Sequence, residues 1–322
     1  MSTNRLIDVH THITTPGFLR FLEDRGALWE DGFPLPKWNL EDCIRNMDEL
    51  EISFAFLSES SPQPYFKGYE KESIDACRDL NDTAADALQK YPDRIGFAAT
   101  LPLPDIDAAI REAIRCMDEL GAKGIKFGSN SRGLYLGDPS MDPLLQELDK
   151  RGAVCPIHPQ KPAPLNESVF SAGPVPMFEF IADTTRAVIN MIANGVIIRY
   201  PNIKWIVPHS GSFLPNIYPR FVSIFEVLDP KKEKFGGIEV DENIRRLYFD
   251  IAGHPVPHLL DFLLTIADPS HIMYGTDAPF PPKAFIHRGL QAFIDMMDNR
   301  EDLRPYKEMI LYGNAASLLG LQ

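Results

Sequence analysis

Cysteine is scarce in this sequence, and the few present do not pair. Cys43, Cys77, Cys116 and Cys155 lie far apart and form no C-x-x-C unit. That spacing excludes a zinc-finger or thioredoxin-type motif, and a disulfide scaffold is out of place in a chain of 322 residues. Free buried thiols in a reducing cytoplasm are expected instead. Long apolar runs are missing too. No stretch approaches the roughly 18 uninterrupted apolar residues of a membrane span, so no membrane partner is expected. The opening M-S-T-N-R-L-I-D-V-H-T-H also lacks the apolar segment of a signal peptide. Positive charge is short: 32 Lys and Arg face 45 Asp and Glu, a formal charge of -13. The densest basic run, Lys231, Lys232 and Lys234, is broken by Glu233. A field of this sign repels a phosphate backbone and argues against a nucleic-acid partner. No G-x-G-x-x-G or P-loop follows any apolar run, which leaves a doubly wound nucleotide-binding sheet without its anchor. No Ser/Gly-rich linker divides the chain, so residues 1–322 are read as one domain.

What is present is a regular alternation. Short β-branched and aromatic runs cover 6–10, 52–58, 94–100, 123–128, 153–158, 203–209, 246–252 and 271–276. Stretches of helical period lie between them, at 41–50, 71–91, 105–120, 141–151, 177–198, 214–228, 255–267 and 285–298, with a last one at 304–319. In the third, Ala109, Ile110, Ala113, Ile114, Met117 and Leu120 recur at steps of three and four, while Asp105 can cap its start and Gly121 its end. Strands alternating with helices call for a parallel sheet, and eight such units call for an α/β fold of the (β/α)8 TIM-barrel type. Three connections are long: 13–40, 59–70 and 159–176. All follow strands, which places them on the C-terminal face, where barrels keep their functional loops. The first carries Trp29, Phe33 and Trp38, and the third carries five prolines.

The polar residues at the strand ends carry the chemistry. His10 and His12 stand two apart at the end of the first run, so period two puts both on one face, with Val9 and Thr11 on the other. Two imidazoles on a rigid strand suit a borderline cation such as Zn²⁺. His158 ends the fifth run in V-C-P-I-H-P, His209 the sixth in W-I-V-P-H-S-G, and Asp277 the eighth in M-Y-G-T-D-A-P-F. Chance would scatter eight histidines evenly; here four of them, with one aspartate, collect at the same end of the expected barrel. A metal site is the reading that explains this. Lys126, in K-G-I-K-F-G, is either a contact for a substrate carboxylate or a paired lysine below the mouth. His254 reads as a loop histidine, and His258, His271 and His287 as structural or exposed.

This constellation resembles the amidohydrolase superfamily, and within it the aminocarboxymuconate-semialdehyde decarboxylase group, or amidohydrolase 2 family. The likeness runs from D-V-H-T-H at 8–12 to Y-G-N-A-A at 312–316, through I-H-P, P-H-S-G and G-T-D-x-P-F. The resemblance implies that His10, His12, His158 and Asp277 ligate one divalent metal, Zn²⁺ or else Mn²⁺. It implies a catalytic imidazole at His209, with Asp277 also part of the catalytic machinery, and a substrate-carboxylate clamp at Arg220, often placed across a homodimer interface. Some superfamily members bridge two metals through a carboxylated strand-4 lysine, the position of Lys126, but the decarboxylase group is mononuclear. Close members read H-G-G-G where this chain has His209-Ser210-Gly211-Ser212, and the tryptophan loop after the strand-5 histidine is replaced by Pro159-Gln160-Lys161-Pro162. A substrate other than aminocarboxymuconate semialdehyde is therefore expected.

Two reactions suit these parts. One is non-oxidative decarboxylation of a small aromatic or unsaturated carboxylic acid, with Arg220 as clamp and the aromatic loop as a dry wall. The other is hydrolysis of an amide or lactone at the same metal. A metal-dependent deoxyribonuclease barrel can open with the same histidine pair, but it needs the basic groove that this charge balance lacks. A non-catalytic metal-binding scaffold would have no use for five convergent residues.

Overall fold

The computed structural model describes residues 6–169, 173–231 and 239–321. Positions 170–172 of the third long loop, and Lys232 to Lys234 of the basic run, lie outside the described residues. The strands are β1 (Leu6–His12), β2 (Ile52–Ser58), β3 (Ile95–Ala99), β4 (Gly124–Ile125), β5 (Phe127–Gly128), β6 (Asn130–Ser131), β7 (Leu134–Tyr135), β8 (Val154–His158), β9 (Lys204–Val207), β10 (Tyr248–Asp250) and β11 (Ile272–Met273). β4 and β5 are two halves of one strand, parted at Lys126: the first pairs with β3, the second with β8. Parallel neighbours then run β1-β2-β3-β4 and β5-β8-β9-β10-β11. The ring closes where Val9 N donates to Tyr274 O at 3.1 Å and Thr11 bridges Ala278. All eight anticipated strands are there, most of them trimmed at the ends, and they form a (β/α)8 barrel.

The barrel interior is filled by alternate residues. Ile7, Val9, Phe54, Phe56, Ala98, Val154, Ile206 and Met273 form one buried cluster. Ala315, Ala316 and Leu319 of the last helix, Asn314–Leu319, close its lower end. Burying a side chain of Val, Leu or Phe size contributes about 1.5–3 kcal/mol, so this plug is a strong local constraint. The outward-facing set, among them Leu57, Phe97, Phe127, Trp205 and Phe249, belongs to a second cluster shared with the helices.

One expectation about β1 is corrected here. Val9 does not face away from the histidine side; it lies in the barrel interior. The pairing of β1 with β2 steps from Asp8↔Ala55 to Thr11↔Leu57, three residues against two. That extra residue is a bulge, and it changes the inward parity partway along the strand. Ile7 and Val9 point inward below it, and His10 and His12 remain together above it. Thr11 does face outward, beside Asp8 and Trp38 in a small cavity against the helix Leu40–Glu49.

Two more local features escaped the periodicity. The first long loop contains the helix Pro16–Glu23, capped by Thr15, whose side chain accepts from Phe18 N, with Phe18, Phe21 and Leu22 buried. Its signals are ordinary ones, a threonine cap and proline at the first turn, but the helix is only 8 residues long. The second is the β6–β7 hairpin, turned by Arg132 (φ 55°) and Gly133 (φ 94°), a left-handed pair that suits a two-residue turn. Elsewhere Asp105 caps its helix by accepting from Ala108 N, as its position predicts. The anticipated helix 177–198 is divided into Glu179–Ala193 and Val196–Arg199 by Gly195 at φ 65°.

Candidate metal centre

The C-terminal mouth gathers the predicted residues. His10, His12, His158 and Asp277 each offer one ligand atom, and these four atoms lie within 4.8 Å of one another. Ring centroids are 4.9 Å apart for His10 and His12, 4.7 Å for His12 and His158, and 5.5 Å for His10 and His158. The chain makes room for this at Gly275, where a Cβ would stand 2.7 Å from the Cβ of His10. Asp277 takes a left-handed backbone, φ 62°, and its N–H donates to His10 O at 2.8 Å. Strain of that sort in a non-glycine residue persists only where its surroundings hold it.

Each ring is oriented through its other nitrogen. His10 Nδ1 stands 2.8 Å from Asp250 Oδ2, His12 Nδ1 3.3 Å from Ser58 O, and His158 Nδ1 2.8 Å from Pro159 O. A carbonyl or an ionised carboxylate can only accept, so the ring proton sits on Nδ1 and the Nε2 lone pair is left to the mouth. Partners of this type are what metal-binding histidines ordinarily have. The test of fit is His10 Nε2, which is buried and has no hydrogen-bond partner. A buried imidazole nitrogen left bare, beside two more imidazoles and a carboxylate, suits a divalent cation. His12 Nε2 lies 3.1 Å from Asp277 Oδ1, and His10 Nε2 lies 3.6 Å from the same oxygen.

The electrostatics agree with this. Burial raises the Asp277 carboxyl, but the surrounding imidazoles of His12, His10 and His209 bring it down to about 2, so it is a carboxylate at neutral pH. Burial lowers His12 and takes His158 well below the usual value, leaving both neutral. For His10, burial acts downward and is overcome by Asp250 and Asp277, which push it up to about 9. That proton would occupy Nε2, the atom aimed at the other ligands, so a cation binding there displaces it.

His209 stands beside the four, its ring centroid 4.9 Å from that of His10. It is partly open to the mouth, whereas His10, His12 and His158 are buried. Its backbone is left-handed, φ 54° and ψ 56°, as are Ser210 and Ser212. Nδ1 faces Ala252 O at 3.4 Å, which directs Nε2 toward the mouth. Burial and the charge of His10 lower its pKa.

The remaining candidates fall in different places. Lys126 is fully buried in an ion pair with Glu59, and its Nζ donates to Ser60 O at 3.2 Å. It is the paired lysine below the mouth. Arg220 is exposed on the helix Leu214–Leu228. Of the aromatic loop residues, only Phe33 reaches the wall, by packing on Phe280, which in turn stands 5.4 Å from the His12 ring. Trp38 packs against the outer core and Trp29 is 64% exposed, so neither lines the centre as expected. Phe180 covers the other side, 6.2 Å from the His158 ring. His254 is exposed and rests on Phe285, and His271 stacks on Tyr248. Sequence reasoning passed over Asp250 and Glu59. Asp250 had a usable signal, since it is the one carboxylate inside the apolar run 246–252; Glu59 had none, because a charged residue just after a strand usually faces solvent. Cys77, Cys116 and Cys155 are buried and free, and Cys43 is half-buried and free.

Comparison with known proteins adds four findings. The amidohydrolase family profile matches residues 7–321. The 6-methylsalicylic acid decarboxylase of Penicillium expansum is 29% identical over 97% of this chain and 95% of its own. Among solved structures, an amidohydrolase II is 34% identical, superposes with a TM-score of 0.90, and covers 98% of this chain and 99% of its own. A 5-carboxyvanillate decarboxylase of Novosphingobium aromaticivorans, holding manganese, shares the fold at a TM-score of 0.85 and 22% identity, over 99% of this chain and 97% of its own.

Proposed function

The chain belongs to the amidohydrolase family, and on that basis we propose that it is a metal-dependent, non-oxidative decarboxylase of a small aromatic or unsaturated carboxylic acid. The observation that carries this reading is the whole-length likeness to a decarboxylase of a hydroxylated aromatic acid. It favours carboxy-lyase over hydrolase chemistry on the same donor set. Residues 1–322 serve as one barrel domain. His10, His12, His158 and Asp277 are the ligands of one divalent cation. Three imidazole nitrogens and one carboxylate favour Zn²⁺, while Mn²⁺, held by the carboxyvanillate enzyme, is the other candidate.

When bound, the cation supplies a fixed positive charge for the substrate carboxylate and a neighbouring oxygen. The chain does the rest. Phe280 and Phe180 make the walls beside the metal ligands apolar and keep water from the reacting carbon. His209, as imidazolium, delivers its Nε2 proton to the ring carbon that bears the carboxylate. The bond from that carbon to the carboxylate breaks, its electron pair returns to the ring, and CO₂ departs. His209 then recovers a proton from solvent. Product should contain no solvent oxygen. Incubation with hydroxybenzoate-type acids is expected to release CO₂ in amounts equal to the decarboxylated product; incorporation of ¹⁸O from labelled water into an acid product would instead assign a hydrolase.

Arg220 is the proposed carboxylate clamp, acting across a homodimer. Its exposure, on a helix that also exposes Ile224, Val227 and Leu228, supports a second copy covering this face. A hydrogen bond to a charged group is worth about 1.5–3 kcal/mol, so Arg220→Ala is expected to raise KM by about 10–100-fold with kcat largely kept. An unchanged KM would remove Arg220 from the site. The free buried thiols support a cytoplasmic setting. No helix among the described residues is long and apolar enough to cross a membrane.

A further inference from the structure

Asp250 makes more contacts with the centre than any role so far requires. It ends β10 and is 2% exposed. Oδ2 is 2.8 Å from His10 Nδ1. Oδ1 accepts two backbone N–H groups, from His209 at 3.1 Å and from Ala252 at 3.0 Å. Ala252 O is also the group that faces His209 Nδ1. One carboxylate thus touches a metal-ligand ring on one side, and on the other pins both the left-handed backbone of His209 and the carbonyl that orients its side chain. None of these contacts is local in sequence except that with Ala252: His10 is 240 positions away and His209 41.

We propose that Asp250 is a positioning residue that ties the metal to the acid–base group, setting the tautomer of His10 through Oδ2 and the placement of His209 through Oδ1. The proposal rests on the metal-dependent reading above. Its two arms can be separated by substitution. In Asp250→Asn the amide oxygen must face the two N–H groups, because they can only donate. The NH₂ group then meets His10 Nδ1, which has to become an acceptor, and the His10 proton moves to Nε2. The metal arm is lost and the His209 arm is kept. Asp250→Ala removes both.

The test measures Mn²⁺ and Zn²⁺ affinity by equilibrium dialysis with metal analysis, and kcat for CO₂ release at saturating metal, with circular dichroism confirming the fold. D250N is expected to weaken metal binding by about 10–100-fold, the usual effect of losing a partner that orients a ligand, and to regain most of its kcat when metal saturates. D250A is expected to show the same loss of affinity and to stay at least about tenfold low in kcat, with KM little changed. Wild-type metal affinity in either variant overturns the proposal, as does full recovery of kcat by D250A. If only one of the two variants folds, its metal affinity still supports or overturns the role. If the wild-type protein binds metal but turns over no acid tested, the reading of the reaction fails, and the affinity arm alone decides the role of Asp250.

Discussion

His12→Ala should lose bound metal and turnover together. His12 is 1% exposed, its Nδ1 is committed to Ser58 O, and its Nε2 lies 3.1 Å from the carboxylate oxygen of Asp277. It stands at the middle of the centre, with ring centroids 4.9 Å from His10 and 4.7 Å from His158. Removing it leaves three donors and a water-sized gap in place of the fourth. Metal analysis of the variant, purified without chelator, is expected to find less than about 0.2 equivalents, with activity down more than about 10³-fold, since a bound cation supplies several kcal/mol and each 1.36 kcal/mol is tenfold. The fold should survive. The apolar plug of the barrel, Ile7, Val9, Phe54, Phe56 and the residues around them, lies below the histidines and owes nothing to His12. Stoichiometric metal with full activity would remove His12 from the ligand set.

His209→Ala should separate the same two properties. Metal content is expected to stay near that of the wild type, because His209 is outside the group of four converging ligand atoms. Turnover is expected to fall by about 10²–10⁴-fold, the usual contribution of a positioned acid–base group. The backbone sets one complication. At φ 54° a residue with a Cβ is strained, and the neighbouring Ser210 and Ser212 share that strain. Asparagine tolerates a left-handed backbone better than alanine does, so His209→Asn is the control for a displaced loop. Loss of metal in both variants would make His209 a ligand rather than the proton carrier. The lowered pKa of His209 has a consequence of sign: its imidazolium is scarce at neutral pH in the free enzyme. An anionic substrate beside it favours the charged form, so proton delivery is tied to substrate binding.

The barrel was legible because its signal is periodic and local. Eight apolar runs with helical stretches between them leave little choice but a closed parallel sheet, and the strands lie where the runs do. The long loops were legible as long, but not in content. The helix Pro16–Glu23 is too short for its pattern to stand out, and the β6–β7 hairpin depends on a left-handed Arg132 that composition does not betray. The aromatic wall was misassigned for a similar reason. Trp29, Phe33 and Trp38 share a loop in sequence, yet each takes a different environment, and the ring next to His12 is Phe280, which follows Asp277.

The fold class was legible in the sequence, and so were the five polar residues at the mouth, His10, His12, His158, His209 and Asp277; their division into four ligands and one acid–base imidazole came from the family resemblance. Chain order records which residues end a strand at the mouth, and strand period records which side chains face inward where no bulge interrupts it. Tertiary structure alone decided how those residues are held. The bulge in β1 lets Val9 and both histidines share the interior, and it exists only against the register of β2. Asp250 meets His10 only because the closed ring brings β10 near β1, and Lys126 meets Glu59 only because pairing through β3 sets the end of β2 near the β4–β5 strand. Contacts of this kind join positions tens to hundreds of residues apart. No local pattern encodes them, since they come into being only when distant strands are laid side by side.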